Sequence, residues 1–316
     1  MRIIFMGTPE FSVPYLERLL ELGYQVVAVY TQPDRPTGRG RGLNPSPVKQ
    51  FALSTGLAVY QPESLRSEET LDEMADLSPD LIFIVAYGLL LPQRVIDLPS
   101  KGCLNVHPSL LPRHRGPSPI AGAILSGDTE TGVTIMLIDA GMDSGPILSQ
   151  ESLNIDPTDT TTSLSERLRA LGLRMMEKTI PLWLKSEIAP RPQDESLVTV
   201  TRMARKEDGE VDWSLPAVEL WRRVRAYHPW PGVYTRWKGR ILKIVDAMPL
   251  EVDTLNDTGL VLSYTDSETL TGQRVGVQTG SGLLELRVVQ LEGGKTMTAS
   301  DFVRGHKDFL GSILTS

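Results

Sequence analysis

Asn105-Val106-His107 places an amide and an imidazole one residue apart, at the end of the apolar run that starts at Cys103 and stops at Pro108. On a strand, alternate side chains share a face, so Asn105 and His107 point one way while Leu104 and Val106 point into a core. A fixed amide donor beside an imidazole suits an oxyanion that develops during reaction. The same pattern also describes a polar strand end with a satisfied histidine, and the pair alone does not decide between the two. A third polar group stands in Asp139–Pro146, where Gly141 and Gly145 bracket Asp143 in a loop able to carry the carboxylate into a cleft. The four histidines are scattered, and no close Cys/His/carboxylate pair has metal-ligand spacing, so no metal site is expected. Cys103, the single cysteine, sits among apolar residues and reads as a small core side chain in a reducing compartment.

The elements that must position these groups follow from the hydrophobic pattern. Ile3–Met6 is a short strand, and Thr8-Pro9-Glu10 opens a helix carrying Tyr15, Leu16, Leu19 and Leu20 before Gly23 ends it. Gln25–Thr31 is apolar at nearly every position, as a strand covered on both faces is. Strand, helix, strand opens a Rossmann-like, mostly parallel sheet; the first turn lacks a G-x-G-x-x-G, which disfavours a dinucleotide. Further strands are expected at Asp80–Ala86, Gly132–Ile138 and Ile147–Leu153, with helices at Ser118–Ser126 and Thr162–Lys185. Ligands of such sheets lie beyond the carboxyl ends of the strands, where Tyr87-Gly88-Leu89 and Asn105–Pro112 both fall.

Gln32–Pro47 is dense in Gly and Pro, which argues against helix or strand, and carries Arg35, Arg39 and Arg41 with only Asp34 to offset them. It reads as a long mobile loop, either simply solvated or built so that backbone and guanidinium approach a phosphate. Arg113-His114-Arg115 reads as a contact to a ligand or as a solvated turn. The proline-rich Ala189–Glu195 stretch suggests a domain of residues 1–189, a linker of 190–208 and a second domain of 209–316. In the second domain, short alternating runs at Val233–Trp237, Arg240–Val245, Gly259–Tyr264, Arg274–Gln278 and Leu283–Leu291 suggest a small OB-like β-barrel.

The whole chain adds bounds. With 316 residues, 41% hydrophobic, it can build sizeable cores, and a net charge of −7 gives no global basic footprint. Any polyanion must therefore be held by local basic segments. Leu81–Leu91, the longest apolar run, is too short to span a bilayer as a helix, and the N-terminus is no signal peptide. A cytoplasmic monomer with no membrane association is expected.

With Asn105-x-His107, Ser109-Leu110-Leu111-Pro112 and the Asp143 loop in this order, the chain resembles the folate-dependent formyltransferases. Thr31–Pro36, Ala86-Tyr87-Gly88, Gly141–Gly145 and Lys206–Gly209 extend the similarity, over essentially the whole chain, toward those members that act on methionyl-tRNA. The resemblance implies 10-formyltetrahydrofolate as formyl donor and the amino group of initiator Met-tRNA as acceptor, in translation initiation. It implies Asn105, His107 and Asp143 as the catalytic trio, with Ser109, Leu110, Leu111, Pro112, Tyr87, Gly88 and Leu89 on the folate. It also assigns Arg35, Arg39 and Arg41 to the tRNA. In that scheme Asn105 and His107 both donate to the oxyanion, and Asp143 orients His107 and favours its charged form. Two other readings stay open: a relative acting on a small-molecule acceptor or water, and a noncatalytic RNA-binding protein.

Overall fold

A computed structural model of the chain describes residues 1–37, 42–252, 257–265 and 273–315. In chain order the strands and α-helices are β1 (Arg2–Gly7), α1 (Val13–Glu21), β2 (Gln25–Tyr30), β3 (Arg35–Thr37), β4 (Gly42–Asn44) and α2 (Pro47–Ser54). These are followed by β5 (Val59–Tyr60), α3 (Glu68–Asp76), β6 (Leu81–Val85), α4 (Gln93–Ile96), β7 (Cys103–His107), α5 (Pro119–Ser126), β8 (Glu130–Leu137), β9 (Ile147–Asn154) and α6 (Thr161–Leu184). The remainder comprises α7 (Ala217–Ala226), β10 (Val233–Trp237), β11 (Arg240–Leu250), β12 (Val261–Thr265), β13 (Gln273–Gln278), β14 (Leu283–Leu291), β15 (Met297–Thr298) and α8 (Ala299–Gly305).

The chain divides into two compact units. One comprises residues 1–119, 130–154 and 165–202; the other takes 120–129, 155–164 and 203–316. The first unit holds a seven-stranded sheet in the order β5-β2-β1-β6-β7-β8-β9. Its first five strands run parallel, whereas β8 is antiparallel to β7 and β9 antiparallel to β8. Both faces are covered, which is why the central strands read as unbroken apolar runs. On one face Ile4, Met6, Ala28, Tyr30, Ile82, Ile84 and Cys103 pack with Leu71 and Met74 of α3 and Val95 of α4. On the other, α1 and α6 approach closely: the Tyr15 hydroxyl donates to the Arg169 carbonyl at 3.3 Å. A Cβ on Gly172 of α6 would lie 2.2 Å from that hydroxyl oxygen and 3.3 Å from Val106 of β7.

Strand order reverses at β1, which has β2 on one side and β6 on the other, so the carboxyl ends of β1, β2 and β6 form a crevice. Side chains lace those ends together. Thr8 donates through Oγ1 to the Tyr87 carbonyl at 2.9 Å, and Gln32 reaches the same oxygen through Nε2 at 3.3 Å.

The arginine-rich segment corrects one expectation. Its neck is a short antiparallel ladder, β3 against β4, pairing Arg35 with Asn44, Pro36 with Leu43 and Thr37 with Gly42. A two-stranded ribbon of this kind has only edges, where a proline costs no shared hydrogen bond. Below the neck Lys49 and Gln61 both hold the Asp34 carboxylate, at 2.6 and 2.8 Å, and Thr31 and Ser46 share a hydroxyl bond of 2.7 Å. The pairing with Lys49 first, and with Gln61 second, keeps the Asp34 carboxyl below the usual carboxylate range. Arg35 is exposed and bonds Gln32. Arg39 and Arg41 lie outside the described residues.

The second unit is the expected small β structure, with antiparallel strands in the order β10-β11-β14-β13-β12 and β15 added beside β14. The tail closes it. Thr315 exchanges backbone bonds with Arg236 beside β10, while Leu314 and Ser312 bond Gly259 and Val261 beside β12. A strand that joins both edges of a sheet removes those edges. Leu314 is only 2% exposed. Leu314→Ala is expected to destabilise this unit by about 2–5 kcal/mol, the range for a buried leucine, with a lower thermal midpoint as the measurement.

Candidate active site

Alternation along β7 puts Cys103, Asn105 and His107 on one face, with Cys103 sealed in the core and the two polar groups toward the strand's end. Neighbouring strands complete that face: Asn105 lies between Ile84 of β6 and Met136 of β8, and His107 beside Thr134 of β8. Asn105 is 9% exposed and its side-chain amide makes no hydrogen bond to another described residue. The Asn105 amide therefore has its hydrogen-bonding groups unspent within the described residues.

His107 is more fully committed. Its Nε2 lies 3.0 Å from the carbonyl oxygen of His114. A carbonyl can only accept, so Nε2 carries the hydrogen and donates it. The neutral ring then presents the bare lone pair of Nδ1, and Nδ1 faces Asp143 Oδ2 at 3.6 Å. That separation is too long for a direct hydrogen bond. Burial of the ring holds its pKa below the ordinary histidine value of 6.5, outweighing the Asp143 carboxylate and the His114 carbonyl, which both push upward. Asp143 favours the charged form, as expected, but burial outweighs it and favours the neutral ring. A neutral ring whose only N–H is already donated is a proton acceptor, not an oxyanion donor.

Asp143 has φ +52, in the left-handed region that aspartate tolerates better than most residues. Its loop is curled by Asp139, whose Oδ1 accepts from Gly141 N at 3.0 Å and Ser144 Oγ at 2.7 Å. A Cβ on Gly145 would sit 1.9 Å from the Leu137 carbonyl oxygen, so only glycine fits there. The carboxylate Oδ2 that faces His107 also accepts the backbone N–H of Gly116 at 2.8 Å.

The turn from Pro108 to Ser118 is built rather than loose. Ser109 is fully buried; its hydroxyl donates to the Arg113 carbonyl at 2.7 Å, so it closes the turn and its hydrogen is spent there. Leu111 packs with Met136 and Ile147 in a small apolar cluster. Leu110 and Pro112 are half-buried. Of the residues expected near the crevice after β6, Tyr87 is buried in the core, Leu89 is half-buried and Gly88 is exposed. His114 and Arg115 are buried, so Arg113-His114-Arg115 is not the solvated turn its charges suggest, and only Arg113 faces water.

Several residues that hold the site carry no motif. Thr134 is fully buried and acts as a hub: Oγ1 donates to the Ser109 carbonyl at 2.7 Å and accepts from Leu111 N at 3.1 Å and Gln150 Nε2 at 2.8 Å. The segment after α6, read from its prolines as part of a linker, runs back along the site through residue 201. Arg191 pairs with Ile147, and Val200 with Arg115. Thr199 accepts the His114 N–H at 2.8 Å, and Thr201 accepts that of Ser118 at 3.1 Å. The alternation in Val198-Thr199-Val200-Thr201 is the strand signal that marks this segment.

Comparison with known proteins adds the family. Residues 1–180 match the formyl transferase family, and residues 203–307 match the formyl transferase C-terminal domain. The chain is 47% identical over 309 residues to a methionyl-tRNA formyltransferase of Chloroflexus aurantiacus, covering 98% of each. It is 45% identical over 311 residues to a protein of the same name from Dehalococcoides mccartyi, covering 98% of this chain and 97% of the other. Among solved structures it resembles an N-formyltransferase from Helicobacter canadensis in complex with folinic acid and dTDP-3-aminofucose. That match has a TM-score of 0.64 at 16% identity and covers 93% of this chain and 99% of the other. HypX from Aquifex aeolicus in complex with tetrahydrofolic acid matches with a TM-score of 0.60 at 18% identity, covering 99% of this chain and 48% of the other. These two likenesses speak to the fold.

The Thr134 hub makes a direct prediction. Thr134→Val keeps the shape and removes the hydroxyl, leaving the Leu111 N–H and the Gln150 amide short of a buried partner. The expected cost is about 1–3 kcal/mol for each group left unsatisfied, read from denaturant unfolding at unchanged m-value.

Proposed function

The chain belongs to the formyl transferase family, and from that premise we propose that it transfers a formyl group from 10-formyltetrahydrofolate to the amino group of methionine on initiator tRNA. The support for the acceptor is near-half identity over almost the full length to relatives that carry that name. The support for the chemistry is one juxtaposition: a buried amide with no partner among the described residues, one residue from a neutral imidazole whose bare nitrogen faces a carboxylate.

Formyl transfer needs three things of the protein: a donor for the carbonyl oxygen as charge gathers on it, a base for the amine proton, and a counter-charge for that base. Asn105 supplies the first, because its amide hydrogens are not spent within the protein. His107 supplies the second at Nδ1, since Nε2–H is already given to the His114 carbonyl. As the amine attacks, the new C–N bond forms and its proton moves to Nδ1. The imidazolium so made faces Asp143 Oδ2, which stabilises it across the 3.6 Å gap. When the bond to the folate nitrogen breaks, that nitrogen takes the proton back from His107, and the base is regenerated. The nucleophile arrives with the substrate, so no activated Ser or Cys is required.

The donor lies beyond the carboxyl ends of β1 and β6, where Gly88 and Leu89 are accessible, and against the partly exposed Leu110 and Pro112. Ser109 and Leu111 serve this surface indirectly, by fixing the turn. The arginine hairpin, raised on the Asp34–Lys49 pair, and the barrel of the second unit are assigned to the tRNA. This division gives an acidic chain a local basic element for a polyanion.

Two measurements test this reading. Asn105→Asp keeps the side chain's shape but sets a negative charge against the developing oxyanion. Loss of one such donor costs about 10²–10³ in turnover, so the variant should lose at least that in formylation of Met-tRNA, with folate affinity retained. Near-normal turnover would remove Asn105 from the assignment, and equal transfer to a small amine or to water would remove the tRNA. The pH profile is the second. His107 must be neutral to take the proton, and burial lowers its pKa. Turnover should therefore be level through neutrality and decline only on acidification below pH 6.5.

A further inference from the structure

The Asp143 carboxylate lies in its working position although its own backbone is in the left-handed region and its loop has little apolar packing of its own. One side chain from the segment after α6 accounts for that. Gln193 donates through Nε2 to the Asp143 carbonyl at 2.8 Å and to the Gly145 carbonyl at 2.8 Å, closing a bridge across the loop. Its Oε1 accepts from both Nε and Nη2 of Arg115, at 3.0 and 2.8 Å. The guanidinium fork fixes which end of the amide points where, so the amide hydrogens can face only the loop. Arg115 is in turn paired with Glu195 at 2.7 Å, and it is flanked by the two backbone groups that grip the site. These are the His114 carbonyl, which takes the His107 hydrogen, and the Gly116 N–H, which binds Asp143 Oδ2.

We propose that Gln193 is a positioning residue that locks the Asp143 loop to the Arg115 turn, and so holds the carboxylate in register with His107 Nδ1. It touches no substrate. Its effect passes through the distance between two groups, and it rests on the reading of His107 and Asp143 as the base and its counter-charge. The segment that carries it lies about fifty residues beyond the loop it holds, in a stretch whose composition suggests only a spacer.

The titratable groups that face His107 are Asp143 from the β8–β9 loop and His114 from the turn after β7; β6 and Thr134–Leu137 of β8 carry none. Loosening the Asp143 loop therefore removes the carboxylate that pushes the His107 pKa upward and leaves only the His114 carbonyl to oppose burial. Gln193→Glu keeps the acceptor for Arg115 and sets an oxygen with no hydrogen against two carbonyls. Gln193→Met keeps the length and removes both functions.

The experiment is an NMR titration of the His107 imidazole in the full chain without substrates, for the parent and both variants, alongside formylation kinetics. The expected result is a downward shift of the His107 titration in Gln193→Met, and a smaller one in Gln193→Glu, whose added carboxylate pushes the other way. With it comes a fall in kcat of about 10²-fold, the scale for misplacing a catalytic group by an ångström, with KM for the folate donor unchanged. Glu195→Gln, at an exposed carboxylate, should shift the titration in the same direction by less, and it serves if a Gln193 variant does not fold. A His107 titration identical to the parent's in folded Gln193→Met overturns the clamp, whatever the kinetics. A shifted titration with undiminished turnover upholds the clamp and instead removes His107 from the proton path.

Discussion

The commitment of the His107 Nε2 hydrogen to a backbone carbonyl is the constraint on which the site depends. It fixes the tautomer and aims the free lone pair at Asp143. It also requires that the His114 carbonyl be held still. His114 has φ +58, and a backbone in that region persists only where its surroundings dictate it. The surroundings are the closed hydroxyl of Ser109, the Thr134 hub beneath it and the Thr199–Thr201 stretch alongside. Most of what looks like loop in this part of the chain is scaffold for one hydrogen bond.

Burial then acts in two opposite ways on neighbouring groups. For His107 it disfavours the cation, so the ring rests neutral and can accept a proton at ordinary pH. For Asn105, which has no charge to lose, burial costs only the unpaired amide, and it makes that amide a stronger partner for an anion than it would be in water. A carboxylate pressed directly onto His107 would have restored the charge and removed the base. The 3.6 Å gap leaves Asp143 near enough to steady an imidazolium once formed, yet too distant to form one in advance.

Much of this was legible in the sequence, and what was not has a common cause. The period-2 rule alone put Asn105 and His107 on one face, and glycine bracketing alone marked Asp143 as a group carried on a loop. The strands of the second unit fall where the alternation puts them, with β11 running on to Leu250. The apolar strands of the first unit predict a sheet covered on both faces, and α1 and α6 against α3 and α4 provide the covers. The protonation of His107 was not legible because it turns on a ring buried by distant chain as well as on the nearest acid. The Ser109 hydroxyl hydrogen is spent four residues away, in a local turn bond that composition does not reveal. Gln193, Thr199 and Thr201 were passed over because prolines dominate the start of their segment, and their partners lie 48 to 86 residues back.

The two compact units do not divide the chain at one point. Residues 120–129 and 155–164 belong with the barrel even though they are encoded within the sheet's stretch of sequence. A recombination that exchanged everything after residue 203 between two relatives would therefore bring in a barrel without the two inserts that grew up with it. An exchange of that kind is hindered at this junction. Such a chain is left to diverge by point substitution within both units together.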